Sequence, residues 1–114
     1  MAGGVPVALL TTTGRRSALP HTTPLLFHRE PPGSILLVAA NGGADWNPDW
    51  LHNLLADPRA EVEIDGERVP VMATILSGPE RAAVWDEARR AFPGLDAAQK
   101  RCRRTVPLLR LTMC

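Results

Sequence analysis

The apolar positions fall into short runs early in the chain and into helix-spaced sets later. Val7–Thr13 is a short β-branched and apolar run, and His21–Arg29 is a second. Pro31-Pro32-Gly33 ends the second run, because proline cannot donate into a sheet ladder. Ser34–Ala40 is apolar without interruption from Ile35 onward, the pattern of a strand covered on both faces. Asn41-Gly42-Gly43 ends it. Ala60–Ile64 and Arg68–Leu76 flank Asp65-Gly66, a dipeptide suited to tight type I′ turns, so the pair predicts a hairpin. Val62 and Ile64 alternate with Glu61, Glu63 and Asp65, which leaves one face of that strand wet. Pro107–Met113 predicts a last strand.

The helical signals come from caps and spacing. Asn47-Pro48 predicts the start of a helix over Pro48–Ala56, with Asn capping the free N–H groups and Pro in the first helical position. Ser77 and Glu80 stand three apart as in a capping box. After them Val84, Ala88, Ala91, Phe92 and Leu95 recur at helical spacing, with Asp86 and Arg90 as an i,i+4 pair on the other face. Pro93-Gly94 breaks that helix, and a shorter one is predicted over Asp96–Arg103. Strands first and helices late predict a mainly β, α+β fold: a small antiparallel barrel with peripheral helices.

A length of 114 residues fits a single domain, residues 1–114, able to bury a core without disulfides or a metal. A net charge of +1 gives no basis for nucleic-acid binding, which needs a dominant basic surface. No apolar run approaches the roughly 20 residues that span a bilayer, so no integral membrane segment is expected. Met-Ala-Gly-Gly-Val-Pro lacks a basic stretch followed by an apolar one, so no export signal is expected. Cys102 and Cys114 do not have metal-ligand spacing. They read as free thiols in a reducing cytoplasm, Cys102 packed rather than reactive. No metal site is expected. Tyrosine is absent from the chain.

Two segments carry candidate chemistry. In Leu10–Leu26 a strand leads into Gly14, read as the glycine that allows positive φ in a tight turn. Arg15 and Arg16 follow, then Ser17, His21, Thr22, Thr23 and Pro24. Two guanidinium groups beside backbone N–H groups and hydroxyls suit an anionic ligand. The same residues also describe a solvated hairpin with a basic tip. In Val38–Asn53, small residues end a buried strand, glycines expose N–H groups, and a helix N-terminus follows. Trp50 either lines a pocket or closes the barrel. His52 is a candidate proton donor, with a structural role as the alternative.

Together these segments resemble the deazaflavin (coenzyme F420)-dependent nitroreductase family. The matching residues are Leu10–Ser17, Pro20–Leu25, Ala39–Gly43, Asn47-Pro48 with Trp50, and His52-Asn53-Leu54. Phe92-Pro93-Gly94 and Thr105-Val106-Pro107 follow in family order, so the resemblance covers almost the whole chain. It implies a split β-barrel of the FMN-binding type. It further implies an F420H2-dependent oxidoreductase that passes a hydride to a conjugated acceptor such as a quinone, enone or nitro compound. The alternatives are a protein that holds the deazaflavin, or FMN, without turnover of its own, and an interaction domain with a vestigial site.

The resemblance assigns roles to residues. Arg15 and Arg16 would hold the coenzyme's phosphate or polyglutamate tail, with Ser17 and His21 beside them. Thr22, Thr23, Pro24, Leu25 and Leu26 would lie along the deazaflavin ring. Val38, Ala39, Ala40 and Asn41 would meet the ligand largely through backbone groups. Asp49, Trp50, Leu51, His52 and Asn53 would close the far side, with Trp50, Phe92 and Leu95 toward the acceptor. The cluster Lys100, Arg101, Arg103 and Arg104 is either a solvated helix face or a contact for the acidic tail. Family tyrosines are replaced here by Phe92, Leu95 and Ala98, and another by Leu26, none of which donates a proton. Nitroimidazole reduction is therefore not expected. His52, Asp96 or water remain as donors. The chain starts close to its first strand, so the N-terminal extension that some members use near membranes is not expected and a soluble protein is. Either a monomer or a homodimer is consistent with the family.

Overall fold

The computed structural model describes residues 6–114. The expected lack of an export signal rests on residues that lie largely outside this range. Seven antiparallel strands form one sheet: β1 (Val7–Thr13), β2 (Pro20–Leu26), β3 (His28–Glu30), β4 (Ser34–Val38), β5 (Arg59–Ile64), β6 (Glu67–Ile75) and β7 (Leu108–Met113). Their order across the sheet is β2-β1-β5-β6-β7-β4-β3. Three helices are added: α1 (Asp49–Ala56), α2 (Gly78–Ala91) and α3 (Leu95–Arg101), with a single 3-10 turn at Asn41–Gly43.

The predicted second strand, His21–Arg29, is two strands, and the break shapes the molecule. β2 and β3 lie at opposite edges of the sheet, yet only Phe27 joins them. That connection draws the two edges toward each other and curls the sheet into a half-barrel. Phe27 is buried in the core, and its N–H donates to the Pro6 carbonyl at 3.1 Å. An apolar residue in an apolar run carries no mark of this crossing.

Alternation along the strands builds two cores. Ala8 and Leu10 of β1, Val62 of β5, Val71 of β6, Ile35 and Leu37 of β4, and Leu109 and Leu111 of β7 share the inner face. There α1 packs Trp50, Leu51 and Leu54 against them. Leu36 and Leu108 point to the other face and meet Ala88, Phe92 and Leu95 from the region of α2 and α3. β4 is thus covered on both faces, as its unbroken apolar run predicts. Each fully buried leucine contributes about 1.5–3 kcal/mol of transfer free energy. The β5–β6 hairpin turns at Asp65 and Gly66, whose φ values of 53° and 82° suit a type I′ turn.

Three local expectations are corrected. Pro48, not Asn47, occupies the N-cap position of α1, and its carbonyl accepts from Leu51 N–H at 3.1 Å. Asn47 makes no cap bond, and its Oδ1 is buried without a partner. Ser77 also forms no capping box, because Glu80 turns away to accept from Arg110 Nη1 at 2.8 Å. Asp86 pairs with Arg89 at 3.0 Å rather than with Arg90, and Arg89 also reaches Asp96 of α3 at 3.3 Å. For Glu80 a partner on another strand displaces the local one.

Candidate functional site

The β1–β2 connection folds back tightly. Gly14 N–H donates to the Leu19 carbonyl at 2.8 Å, and Ala18 N–H donates to the Gly14 carbonyl at 2.9 Å. The positive φ of this turn, 61°, falls on Ala18 and not on Gly14. Glycine is needed at position 14 for space: a Cβ there would lie 2.6 Å from Nε2 of His21. Ser17 Oγ accepts from Leu19 N–H at 3.1 Å and hydrogen-bonds His21 Nε2 at 3.2 Å. The side chains of Ser17 and His21 are therefore folded onto the bare backbone of Gly14.

α1 ties this turn to the barrel through one amide. Asn53 is almost fully buried and donates from Nδ2 to Thr12 Oγ1 at 3.1 Å. Its Oδ1 accepts from the Arg15 backbone N–H at 3.1 Å and from Arg15 Nη1 at 3.0 Å. Arg15 Nη2 also lies 3.4 Å from Oδ1 of Asp49. The two adjacent arginines thus differ in kind. Arg15 is partly neutralised and held, whereas Arg16 has no hydrogen-bond or ion-pair partner among the described residues.

Two adjoining cavities surround these groups. The first, about 430 Å³, is lined mainly by residues with polar or charged side chains: Thr12, Gly14, Arg15, Arg16, Ser17, His21, Thr22, Thr23, Asp49, Trp50 and Asn53. The second, about 580 Å³, is mainly apolar. Pro24, Leu25, Leu26, Val38, Ala40, Asn41, Phe92 and Leu95 line it, and it shares Thr23 and Trp50 with the first. Most residues selected from the sequence are therefore brought together. Three are not. Ala39 and Leu51 are buried in the inner core, and His52 lines neither cavity. The sequence reading missed Thr12, whose threonine run looked like plain strand, and Pro48, read only as a helix start; Arg101, read as part of the basic cluster, lines the second cavity with Gly42 and Ala98.

The basic cluster divides in the same way as the arginine pair. Arg104 is half-buried and donates to the carbonyls of Ala44 at 3.1 Å and Ala40 at 3.0 Å. Arg103 N–H donates to Oδ1 of Asp45 at 2.7 Å. These contacts fix the Asn41–Gly43 turn, one wall of the second cavity. Arg101 lies against Gly43 and reaches the cavity itself. The strongest charge pairing sits elsewhere, on the outer face: hydrogen bonds from Arg110 hold the Glu30 carboxyl below its ordinary value.

The sequence profile of the F420H(2)-dependent quinone reductases matches residues 1–112. The chain belongs to that family. A Mycobacterium tuberculosis (strain H37Rv) protein bearing the family's name, Rv3178, is 33% identical over 105 residues, which is 92% of this chain and 87% of that protein. A second, the F420H(2)-dependent quinone reductase Rv1261c of the same organism, is 36% identical over 85 residues. The match spans 73% of this chain but only 56% of that relative. Among solved structures, an F420-H2 dependent reductase superposes with a TM-score of 0.83 at 32% identity, covering 93% of each chain. The curled sheet is thus the split β-barrel of this family, as the sequence predicts.

Proposed function

We propose that this protein is an F420H2-dependent reductase that uses a quinone as hydride acceptor, with enones and nitro compounds as related acceptors. One observation carries the reading: a polar, arginine-bearing cavity opens beside an apolar one, and the two share Thr23 and Trp50. A ligand with an acidic end and a flat ring matches that division. The residues present fit coenzyme F420. Arg16 offers an unpaired guanidinium for the phosphate or the glutamate tail, and Thr22 and Thr23 add hydroxyls along the path. Pro24 and Trp50 offer flat surfaces for a ring.

Reduced coenzyme F420 supplies the hydride when bound, and the protein supplies orientation. Trp50 is buried to 7% exposure, and Phe92 and Leu95 to 2% each, so the wall at the acceptor end is apolar and closely packed. No tyrosine exists in the chain to donate a proton, His52 lies outside both cavities, and Asp96 is paired with Arg89. The proton that completes the reduction comes from solvent on this reading. The described residues fold as one split-barrel domain. We place it in the cytoplasm: no helix among the described residues is long and apolar enough to cross a membrane, and Cys102 and Cys114 are free.

The test mixes purified protein with F420H2 and a naphthoquinone without oxygen and follows the return of the oxidised deazaflavin's absorbance. Turnover is expected. Binding of F420 without turnover on any quinone selects the alternative of a binding protein, which the missing phenol donor favours. Binding of FMN with none of F420 overturns both readings.

A further inference from the structure

We infer that Arg101 makes the second cavity selective for conjugated acceptors that carry an anionic substituent, a carboxylate above all. The inference rests on the reading of the Phe92, Leu95 and Arg101 side of that cavity as the acceptor's, with the coenzyme ring along Pro24 and Leu26. Among the described residues Arg101 is the one charged residue lining it, and no aspartate or glutamate lines it. Arg104 is half-buried against the Asn41–Gly43 turn, with Nε and Nη2 on backbone carbonyls and Nη1 buried without a partner, whereas Arg101 is exposed and makes no hydrogen bond or ion pair among the described residues. Its guanidinium therefore brings a net positive charge and a free fork of donors to an otherwise apolar space.

The turn beside it explains why the side chain lies where it does. Gly43 has φ of 86°, and a Cβ on it would lie 2.9 Å from Nε of Arg101 and 3.4 Å from its Cβ. The absence of that Cβ lets the arginine lie flat along the Asn41–Gly43 backbone. Gly43 in turn is fixed, because its N–H donates to Ala40 and because Arg104 clamps the Ala40 and Ala44 carbonyls. The side chain is thus held against a fixed turn, on a cavity that Trp50 and Phe92 also line. A planar fork matches a carboxylate in a bidentate way, and an apolar surround strengthens the pairing. A neutral quinone gains only the apolar wall. Of two acceptors with the same ring, the acidic one binds better.

The experiment compares 1,4-naphthoquinone with its carboxylated derivative, titrated against protein alone and against protein saturated with oxidised F420, with tryptophan quenching as the readout. The wild type is expected to bind the carboxylated ring about tenfold tighter than the neutral one, a preference that fades as salt is raised. Arg101→Gln removes the preference and leaves affinity for the neutral ring unchanged. Arg101→Lys keeps part of it, since the charge remains and the fork is lost. Equal affinity of the two rings for wild type, or a preference that survives in Arg101→Gln, overturns the inference. So does an Arg101→Gln protein whose main loss is affinity for F420 itself, because the guanidinium then serves the cofactor. Failure of wild type to bind F420 is a separate result and overturns the functional reading, while the titrations on protein alone still decide the role of Arg101.

Discussion

Asn53 grips Arg15 twice: its Oδ1 accepts from the arginine's backbone N–H at 3.1 Å and from Nη1 at 3.0 Å. The other half of the same amide donates to Thr12, so three segments meet on one side chain. Asn53 and Thr12 are both nearly inaccessible to water, and an unmade hydrogen bond there costs about 1–3 kcal/mol. Asn53→Ala is expected to lower stability by that order, measured by thermal unfolding. It also frees the β1–β2 turn, so coenzyme affinity falls. Asn53→Asp keeps the acceptor toward Arg15 and loses the donor toward Thr12, and is expected to retain more coenzyme affinity than Asn53→Ala. Equal loss in both variants would show that Asn53 acts on stability alone.

The two arginines separate by experiment. Arg16→Ala removes a guanidinium with no partner among the described residues, so the melting temperature stays and F420 affinity drops by about 1.5–3 kcal/mol, or about 10- to 150-fold. Arg15→Ala breaks contacts to Asn53 and Asp49, so both quantities fall. Calorimetric titration of F420 beside a melting curve distinguishes the two. A variant of Arg16 that binds F420 like wild type removes the anion site from the proposal.

Gly14→Ala tests a different claim about the turn. A methyl group there collides with His21 and Ser17, and overpacking of this kind costs about 1–3 kcal/mol. Ala18→Gly relieves the positive φ of 61° and is expected to leave stability equal or slightly raised. Thermal unfolding of both variants checks it. A neutral Gly14→Ala would mean that the turn opens easily, and the polar cavity would lose its fixed floor.

These positions show what the sequence makes legible. Unbroken or alternating apolar runs such as Ile35–Ala40 and Val62–Ile64 mark strands because burial on one or both faces leaves that pattern. Residue chemistry and order in Arg15–Thr23 suggest a candidate anion site, and the fold brings those residues to one cavity. The difference between Arg15 and Arg16 was not readable, since it depends on Asn53, which is 38 positions away. Phe27 has the composition of a strand residue while acting as a crossing. Ser77 and Glu80 satisfy a local motif that Arg110 overrides from another strand. Arg101 looks like one charge among four until the turn at Gly43 aims it at a cavity.

Acid stability follows from Glu30. Arg110 donates to both its oxygens, at 2.6 and 2.8 Å, and Ser34 adds a hydrogen bond at 2.7 Å. The Arg110 hydrogen bonds are the main cause that holds this carboxyl below the ordinary 4.5. The folded protein then binds fewer protons than the unfolded chain between the two values, so stability rises with pH across that window. The contribution is fully present above the unfolded value and is lost as pH falls through the folded one. Wild type is expected to lose more stability than Glu30→Gln between about pH 6 and about pH 3, read from melting temperatures along the series. Parallel curves for the two proteins would show that the Glu30–Arg110 pair forms to a similar extent in both states.

Leu95→Tyr places a phenol in a chain that has none. Leu95 is buried to 2% and lines the apolar cavity at the start of α3, where Gly94 turns the backbone. A larger ring there costs about 1–3 kcal/mol of overpacking unless it enters the cavity, which has room for it. Inside, its O–H faces the acceptor and can donate the proton that a nitro group requires on reduction. Reduction of a nitroarene by F420H2 is expected to rise in the variant. Quinone turnover falls, because the ring takes volume from the same space. A folded Leu95→Tyr protein that binds F420 with wild-type affinity but reduces no nitroarene would place the missing donor at another position, with Phe92 and Ala98 next in line around the same cavity.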